Sequence, residues 1–389
     1  MLKRRPVLLA AGLLLSAAVA PFLFWHSKAQ GSPGEATSTR ASAPSFPEVI
    51  VVATPHDAEA EASEVRRIVP GASAKASDVL GVIHHPAQSV IRGDATQDGA
   101  TAFVVADSEA HDFGARLYRV DGKVADLGGG VLHASRPLVS ENGFVYVERG
   151  KAGSQLVDAD GKASMRVDRL TIDEIRPLES SPRFRTVFSA EGYALHLAGE
   201  WQGKLVVYRV DPNGAAIVLV SRDGSSVKEV ARIPSFARDF SVHDTRLVFS
   251  NRSPDDTHVW HVVELSLESG TSQVLATQRD DSVSPFALAK RTLMGTALRT
   301  GLVEVPRAGS ATNGNAPELR APAGAGYYQV VDVTPSESQW VVSFVPSVPP
   351  LFDQTWAIDE SRNVSVRLGN GSERVEVLRV VSSRTGGVR

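Results

Sequence analysis

The chain has 389 residues, 42% of them apolar and 22% charged, with a formal net charge of −3 and no cysteine. Without cysteine there can be no disulfide framework, thiolate nucleophile, Cys-ligated zinc or lipid attached through an N-terminal Cys. Acids slightly outnumber bases and no basic block lies in the body, which argues against nucleic acid and anionic membrane surfaces as partners.

Residues 1–29 read as a targeting segment. Lys3, Arg4 and Arg5 precede a nearly continuous apolar run from Val7 to Trp25. Ser27-Lys28-Ala29 fits a small-x-small cleavage site and would make Gln30 the mature start. The run is also just long enough to span a bilayer, so a cleaved signal peptide and an uncleaved anchor both remain open. In either form the Lys/Arg cluster stays cytoplasmic and the body faces outward, in the periplasm or outside the cell. Contact with a membrane is expected only through residues 7–25. Residues 1–29 hold four of the 41 basic side chains (Lys3, Arg4, Arg5, Lys28) and none of the 44 acids, so cleavage would shift the net charge from −3 to −7. Residues 30–47 are small, polar and Pro-rich and read as a disordered linker.

Residues 48–87 form a lead-in. Glu48 to Ala53 is a short β-type run. Thr54-Pro55-His56-Asp57 carries an N-cap threonine, a proline at the first helical position and an acid in the first turn. The Ala/Glu-rich piece to Val69 is therefore expected to be a helix, stopped by Pro70-Gly71.

Residues 88–382 change texture to short strands and turns, and a repeat emerges. A polar turn leads into an apolar strand at Thr96-Gln97-Asp98-Gly99, Ser140-Glu141-Asn142-Gly143, Ser189-Ala190-Glu191-Gly192, Ser241-Val242-His243-Asp244, Leu288-Ala289-Lys290 and Thr334-Pro335-Ser336-Glu337. A second marker, a strand closing on an Asp/Gly turn, follows most copies: Tyr118–Lys123, Leu156–Lys162, Tyr208–Gly214, Leu265–Gly270 and Ala357–Asp359. Two registered markers at a period in the forties are the pattern of propeller blades. The expectation is an all-β propeller of six blades, or seven if Val79–Ile83 joins Glu48–Ala53 and Arg374–Ser382 in one more. Strands from both chain ends would close the ring and leave no exposed edge. Residues 383–389 read as a disordered tail.

Phe188-Ser189-Ala190-Glu191-Gly192 and Phe240-Ser241-Val242-His243-Asp244 give the chain a likeness to a known family. Residues 88–368 resemble the TolB-type propellers and their WD40-like (PD40) repeats. No copy keeps the family's full Ser-Pro-Asp-Gly turn, and Thr334-Pro335-Ser336-Glu337 retains only its Pro. The resemblance implies a fold and says little about activity. About 40 residues precede the repeats, where TolB has a sizeable α/β domain.

Strong catalytic signatures are missing. There is no Gly-x-Ser-x-Gly elbow and no His-Glu-x-x-His. Ser225-Ser226-Val227-Lys228 has a Ser-x-x-Lys spacing but lies between strands, where that spacing does not bring the pair together. His258 and His261, three apart on a strand, point to opposite faces, and His84-His85 do so too. Asp158-Ala159-Asp160-Gly161 resembles the start of a calcium loop without its third acid or distal Glu, and a hairpin turn explains it. No catalytic, cofactor-binding or metal-ligating residue and no cofactor is therefore assigned, calcium being a minor alternative. Trp201, Trp260, Trp340 and Trp356 read as blade packing rather than a sugar platform. The stretch Phe344 to Phe352 reads as a Pro-rich rim loop, offering either a partner patch or packing over the blade end.

The functional expectation is a non-enzymatic, exported propeller that binds a protein or cell-envelope ligand through rim loops or the central funnel. The alternative is a funnel-site enzyme of lyase, glycosidase or lactonase type using acids with a metal. Convergence of two or more of Asp98, Asp121, Asp211, Asp239, His243 and Asp332 would mark it. A third reading is a structural spacer in an envelope assembly.

Overall fold

The computed structural model describes residues 46–381, apart from 72–76, 110, 154, 158–162, 177–182, 280–282, 297–301, 306–317, 320–325, 335 and 347–352. The targeting segment, most of the linker, the tail and the Asp158–Gly161 turn lie outside the described residues. Among those residues no helix is long and apolar enough to cross a membrane.

Four-stranded antiparallel units follow one another along the chain. A closing blade joins both chain ends in the order β3-β2-β1-β30, with β1 (Val49–Pro55), β2 (Ala62–Ile68), β3 (Asp78–His84) and β30 (Glu373–Val380). The first internal blade is β4 (Ile91–Ala95), β5 (Ala102–Asp107), β6 (Ala115–Val120) and β7 (Val124–Val131). The second is β8 (Leu138–Val139), β9 (Val145–Lys151), β12 (Asp168–Ile175) and β13 (Arg185–Gly192), with a side hairpin of β10 (Gln155–Val157) and β11 (Ala163–Arg166). A single pairing, Val131 with Arg149, merges these two blades into one eight-stranded sheet.

The third blade is β14 (Ala194–Trp201), β15 (Lys204–Asp211), β16 (Gly214–Ser221) and β17 (Val227–Ile233). The fourth is β18 (Ala237–His243), β19 (Arg246–Arg252), β20 (Val259–Ser266) and β21 (Ser272–Arg279). The fifth is β22 (Val283–Ala287), β23 (Thr292–Thr296), β24 (Leu302–Val305) and β25 (Glu318–Leu319). The sixth is β26 (Gly326–Val333), β27 (Gln339–Pro346), β28 (Gln354–Asp359) and β29 (Val364–Leu368).

The described residues thus form seven blades, not the favoured six. Packing says the same. Each interface between neighbouring blades has its own hydrophobic cluster: Ile50, Val65, Leu378 and Val104 between the closing and first blades, and Val341, Leu368, Val51 and Val377 between the sixth and closing ones. Five further clusters fill the interfaces between. Adjacent residues of a strand feed opposite clusters because side chains alternate across a pleated sheet. Phe103 and Val105 face the second blade while Val104 faces the closing one, so a strand buried on both faces reads as the continuous apolar run Ala102-Phe103-Val104-Val105-Ala106. Inner strands touch in series from β14 through β18, β22, β26, β30 and β4 to β8, while β14 meets β9 and β12 of the second blade.

Two expectations need correction. The helix predicted from Thr54 to Val69 is instead the end of β1, a turn and β2, the last paired to β1 through Val52–Val65 and to β3 through Ser63–Ile83. Ser63 and Val65 are buried while Ala62, Glu64 and Arg66 are less so, a period of two that outweighs the helix-start cues. The third repeat copy is also out of register. Glu191-Gly192 ends the outermost strand of the second blade, whereas the turn between the third blade's first two strands is Gln202-Gly203. The inserted β10–β11 hairpin causes the slip by lengthening that blade. Tyr208–Gly214 likewise joins that blade's second and third strands, and its true outer hairpin is Ser221-Arg222-Asp223-Gly224.

Candidate functional site

The six residues proposed as a funnel cluster are scattered. Asp98 lies at the β4–β5 turn, where Thr96 Oγ1 and the Ala100 N–H donate to it. Asp121 and Asp211 sit at peripheral turns beside Arg119 and Arg209, each pair 3.3 Å apart. His243 stands 3.5 Å from Asp244 and 3.9 Å from Glu337 at the far end of β18. No described hydrogen bond or ion pair joins any two of the six. Among the described residues no group of three or more acidic or histidine side chains is arranged to hold a metal.

Inner-strand acids instead bond the backbone of the next blade. Asp94 on β4 accepts the Val139 N–H of β8 at 2.9 Å, and Asp332 on β26 accepts the Val380 N–H of β30 at 2.7 Å. At the corresponding place on β18, Ser241 Oγ accepts the Ala287 N–H of β22. A hydroxyl or carboxylate at this position clips one inner strand to the next. Burial pushes the Asp332 carboxyl above the usual carboxylate range, against the pull of the Val380 N–H and the Arg379 guanidinium.

The β30–β4 seam is the most heavily charged part of this ring. Arg379 donates to both Asp94 oxygens at 2.7–2.9 Å, and Arg92 pairs with Glu376 at 3.2 Å. Arg136 donates to the carbonyls of Gly93 and Val377, tying both strands. These contacts form a clasp that fixes the last strand of the chain. Sequence reading missed it because its members come from residues 92–94, 136 and 376–379.

His196 on β14 meets Glu148 at 3.1 Å and lies tilted against the Phe240 ring. Burial opposes its charge, but attraction and hydrogen bonding to Glu148 outweigh that and raise its pKa. Asp239, in the left-handed region at φ 55°, is pushed up by burial despite Arg238, Ser250 and His196.

The face on which the inner strands begin carries two further features. Phe236, just before β18, is 55% exposed and lies edge-on to Trp260, whose ring is capped by Arg238 at 4.4 Å. An open pocket of about 200 Å³ lies between the closing and first blades, walled by Thr54, His56, Asp57, His85, Gln88 and Arg374, among others. In its wall a chain of hydrogen bonds runs from Thr54 Oγ1 to Ser63 Oγ (2.7 Å), to His85 Nε2 (2.8 Å) and from His85 Nδ1 to the Pro86 carbonyl (2.8 Å). No motif announced this pocket. His85 had been weighed only as a metal partner of His84, and Thr54 only as a helix cap.

Other candidates resolve into packing. Ser225 belongs to the β16–β17 turn and bonds Asp223. Trp340 is buried, and Phe344 is buried against the Tyr328 ring rather than offered by a rim loop. Asn251 is buried with its amide donating to the Ser235 and Phe236 carbonyls.

No protein-family model matches the chain, and no curated protein is similar to it. Solved structures are. One described in a study of two prolyl endopeptidases and their inter-domain dynamics aligns with a TM-score of 0.53 and 12% identity, over 85% of this chain and 50% of that one. A Lactobacillus plantarum protein aligns with a TM-score of 0.51 and 11% identity, over 87% of this chain and 97% of its own. TolB from Acinetobacter baumannii gives 0.42 and 12%, over 64% and 61%. The aligned region is thus about half the length of the endopeptidase structure and about three fifths of TolB. At such identities the first two likenesses show a shared fold and nothing of activity.

Proposed function

We propose that the protein is an exported, non-enzymatic β-propeller that binds a protein or cell-envelope ligand through the face on which its inner strands begin. The observation that carries this reading is the exposed Phe236 beside Trp260 and Arg238. An exposed aromatic beside a half-buried tryptophan and arginine on a rigid scaffold has the composition of an interaction hot spot. The inner-strand carboxylates at Asp94 and Asp332 are committed to backbone N–H groups and to Arg379, which favours binding over funnel-acid catalysis. Export rests on Lys3–Arg5 and the apolar run 7–25, with the body periplasmic or extracellular and tethered to the inner membrane if the segment is uncleaved.

The test is a photo-crosslinking amino acid placed at position 236 and, separately, at position 142 on the opposite face. A specific adduct from position 236 alone is the expected result. Equal labelling from both faces, or none from position 236 in living cells, would refute the reading. Cell fractionation with and without residues 1–29 tests the address.

A further inference from the structure

We propose that the pocket between the closing and first blades binds a small zwitterion of the α-amino acid class, with Arg374 taking its carboxylate and Thr54 and Asp57 its ammonium. The site is independent of whichever macromolecule docks near Phe236.

Thr54 and Arg374 are direct partners in the pairing of β1 with β30, so their side chains leave the same face of the sheet as neighbours. Ser63, on β2, continues the row on the other side of Thr54. Among the described residues Arg374 has no ion-pair partner. Its described contact is a 3.3 Å donation to the Ser89 carbonyl, so most of its guanidinium donors have no described partner. A carboxylate is the planar, two-oxygen partner that such a fork lacks.

The hydrogen-bond chain fixes what Thr54 offers. A backbone carbonyl can only accept, so Pro86 O requires the proton of His85 to sit on Nδ1. In the tautomer that carries its proton on Nδ1, Nε2 is an acceptor and takes the Ser63 hydroxyl proton. Ser63 oxygen in turn accepts the Thr54 proton. Thr54 therefore turns its hydrogen inward and shows the pocket lone pairs only. Asp57, exposed at the rim, adds a carboxylate whose Oδ1 accepts the Glu59 N–H and whose other oxygen has no described partner. Acceptors on one side and an unpaired guanidinium on the other match a molecule with adjacent ammonium and carboxylate groups. Gln88, in the same wall, is held in the left-handed region at φ 61°, a strain that is retained where a site needs it.

The experiment is calorimetry and thermal shift on the full chain with each standard L-amino acid. For any that binds, the methyl ester (no carboxylate) and the N-acetyl derivative (no ammonium) follow. At least one amino acid should bind, with both derivatives weakened about tenfold or more, as expected for loss of a charge-assisted hydrogen bond. Arg374→Gln should abolish binding, with its unliganded melting curve reporting whether it folds. Asp57→Asn, at an exposed turn, should weaken the amino acid and leave the N-acetyl derivative unchanged. Binding by none of the amino acids, or equal affinity for the ester and its parent, would overturn the proposal.

Discussion

Asp94→Ala tests whether the charged seam holds the ring shut. Asp94 is buried and accepts five hydrogen bonds: three from Arg379, one from Val139 N–H and one from its own neighbour Ala95. Removing one member of a buried pair costs about 3–5 kcal/mol, because the other charge is left without compensation. The Arg379 side chain keeps 25% exposure and the nearby Asp332, which places the loss toward the lower end, about 3 kcal/mol. For a body of this size that is a fall in Tm of about 4 °C. Urea denaturation gives the free energy, and hydrogen exchange should show β30 and β8 losing protection before the other inner strands. Adding Arg379→Met should recover part of the loss, since it removes the stranded charge. An Asp94→Ala change within about 1 kcal/mol of the parent, or a double variant that is fully additive, would show that the pair is incidental.

Three more outcomes follow from the geometry. The folded state raises the pKa of His196 above its ordinary 6.5, so its contribution is complete below that value and lost as pH rises through the folded one. Urea midpoints should therefore fall as pH rises above about 6.5, and His196→Gln should flatten that slope. Gly295→Ala would place a methyl 1.5 Å from the Tyr328 carbonyl and should cost about 4 kcal/mol or prevent soluble expression. Gly203→Ala, at φ 71° with nothing within 4 Å, should cost only about 1 kcal/mol in a melting experiment. Ending the chain at Ser372 removes β30 and should give aggregated protein without a cooperative unfolding transition; a monomeric, cooperatively folding product would contradict the clasp.

The architecture was legible where chemistry repeats locally. Turns such as Thr96–Gly99 and Thr334–Glu337 recur because each inner strand must reverse into the next, and the hydroxyl that opens each turn bonds within it. The seventh blade was obscured because its strands come from residues 49–84 and 373–380, leaving no contiguous repeat to count. Thr54-Pro55 then satisfied helix-start chemistry that tertiary pairing overrode in the residues that follow. The pocket was illegible for a similar reason. Thr54, Ser63, His85 and Arg374 are unremarkable residues until a register between the two chain ends sets Thr54 opposite Arg374.

That register also dictates an order of assembly. Val49 at the start of β1 pairs with Val380, so the two partners stand at opposite ends of the folded sequence. Six blades can form from consecutive hairpins, but the inner edge of β1 stays bare until β30 has been made. A long-range contact of this kind is costly in loop entropy and is made late. Until then the chain carries a sticky, unpaired strand edge, and Glu373–Val380 acts as the bolt that ends this exposure.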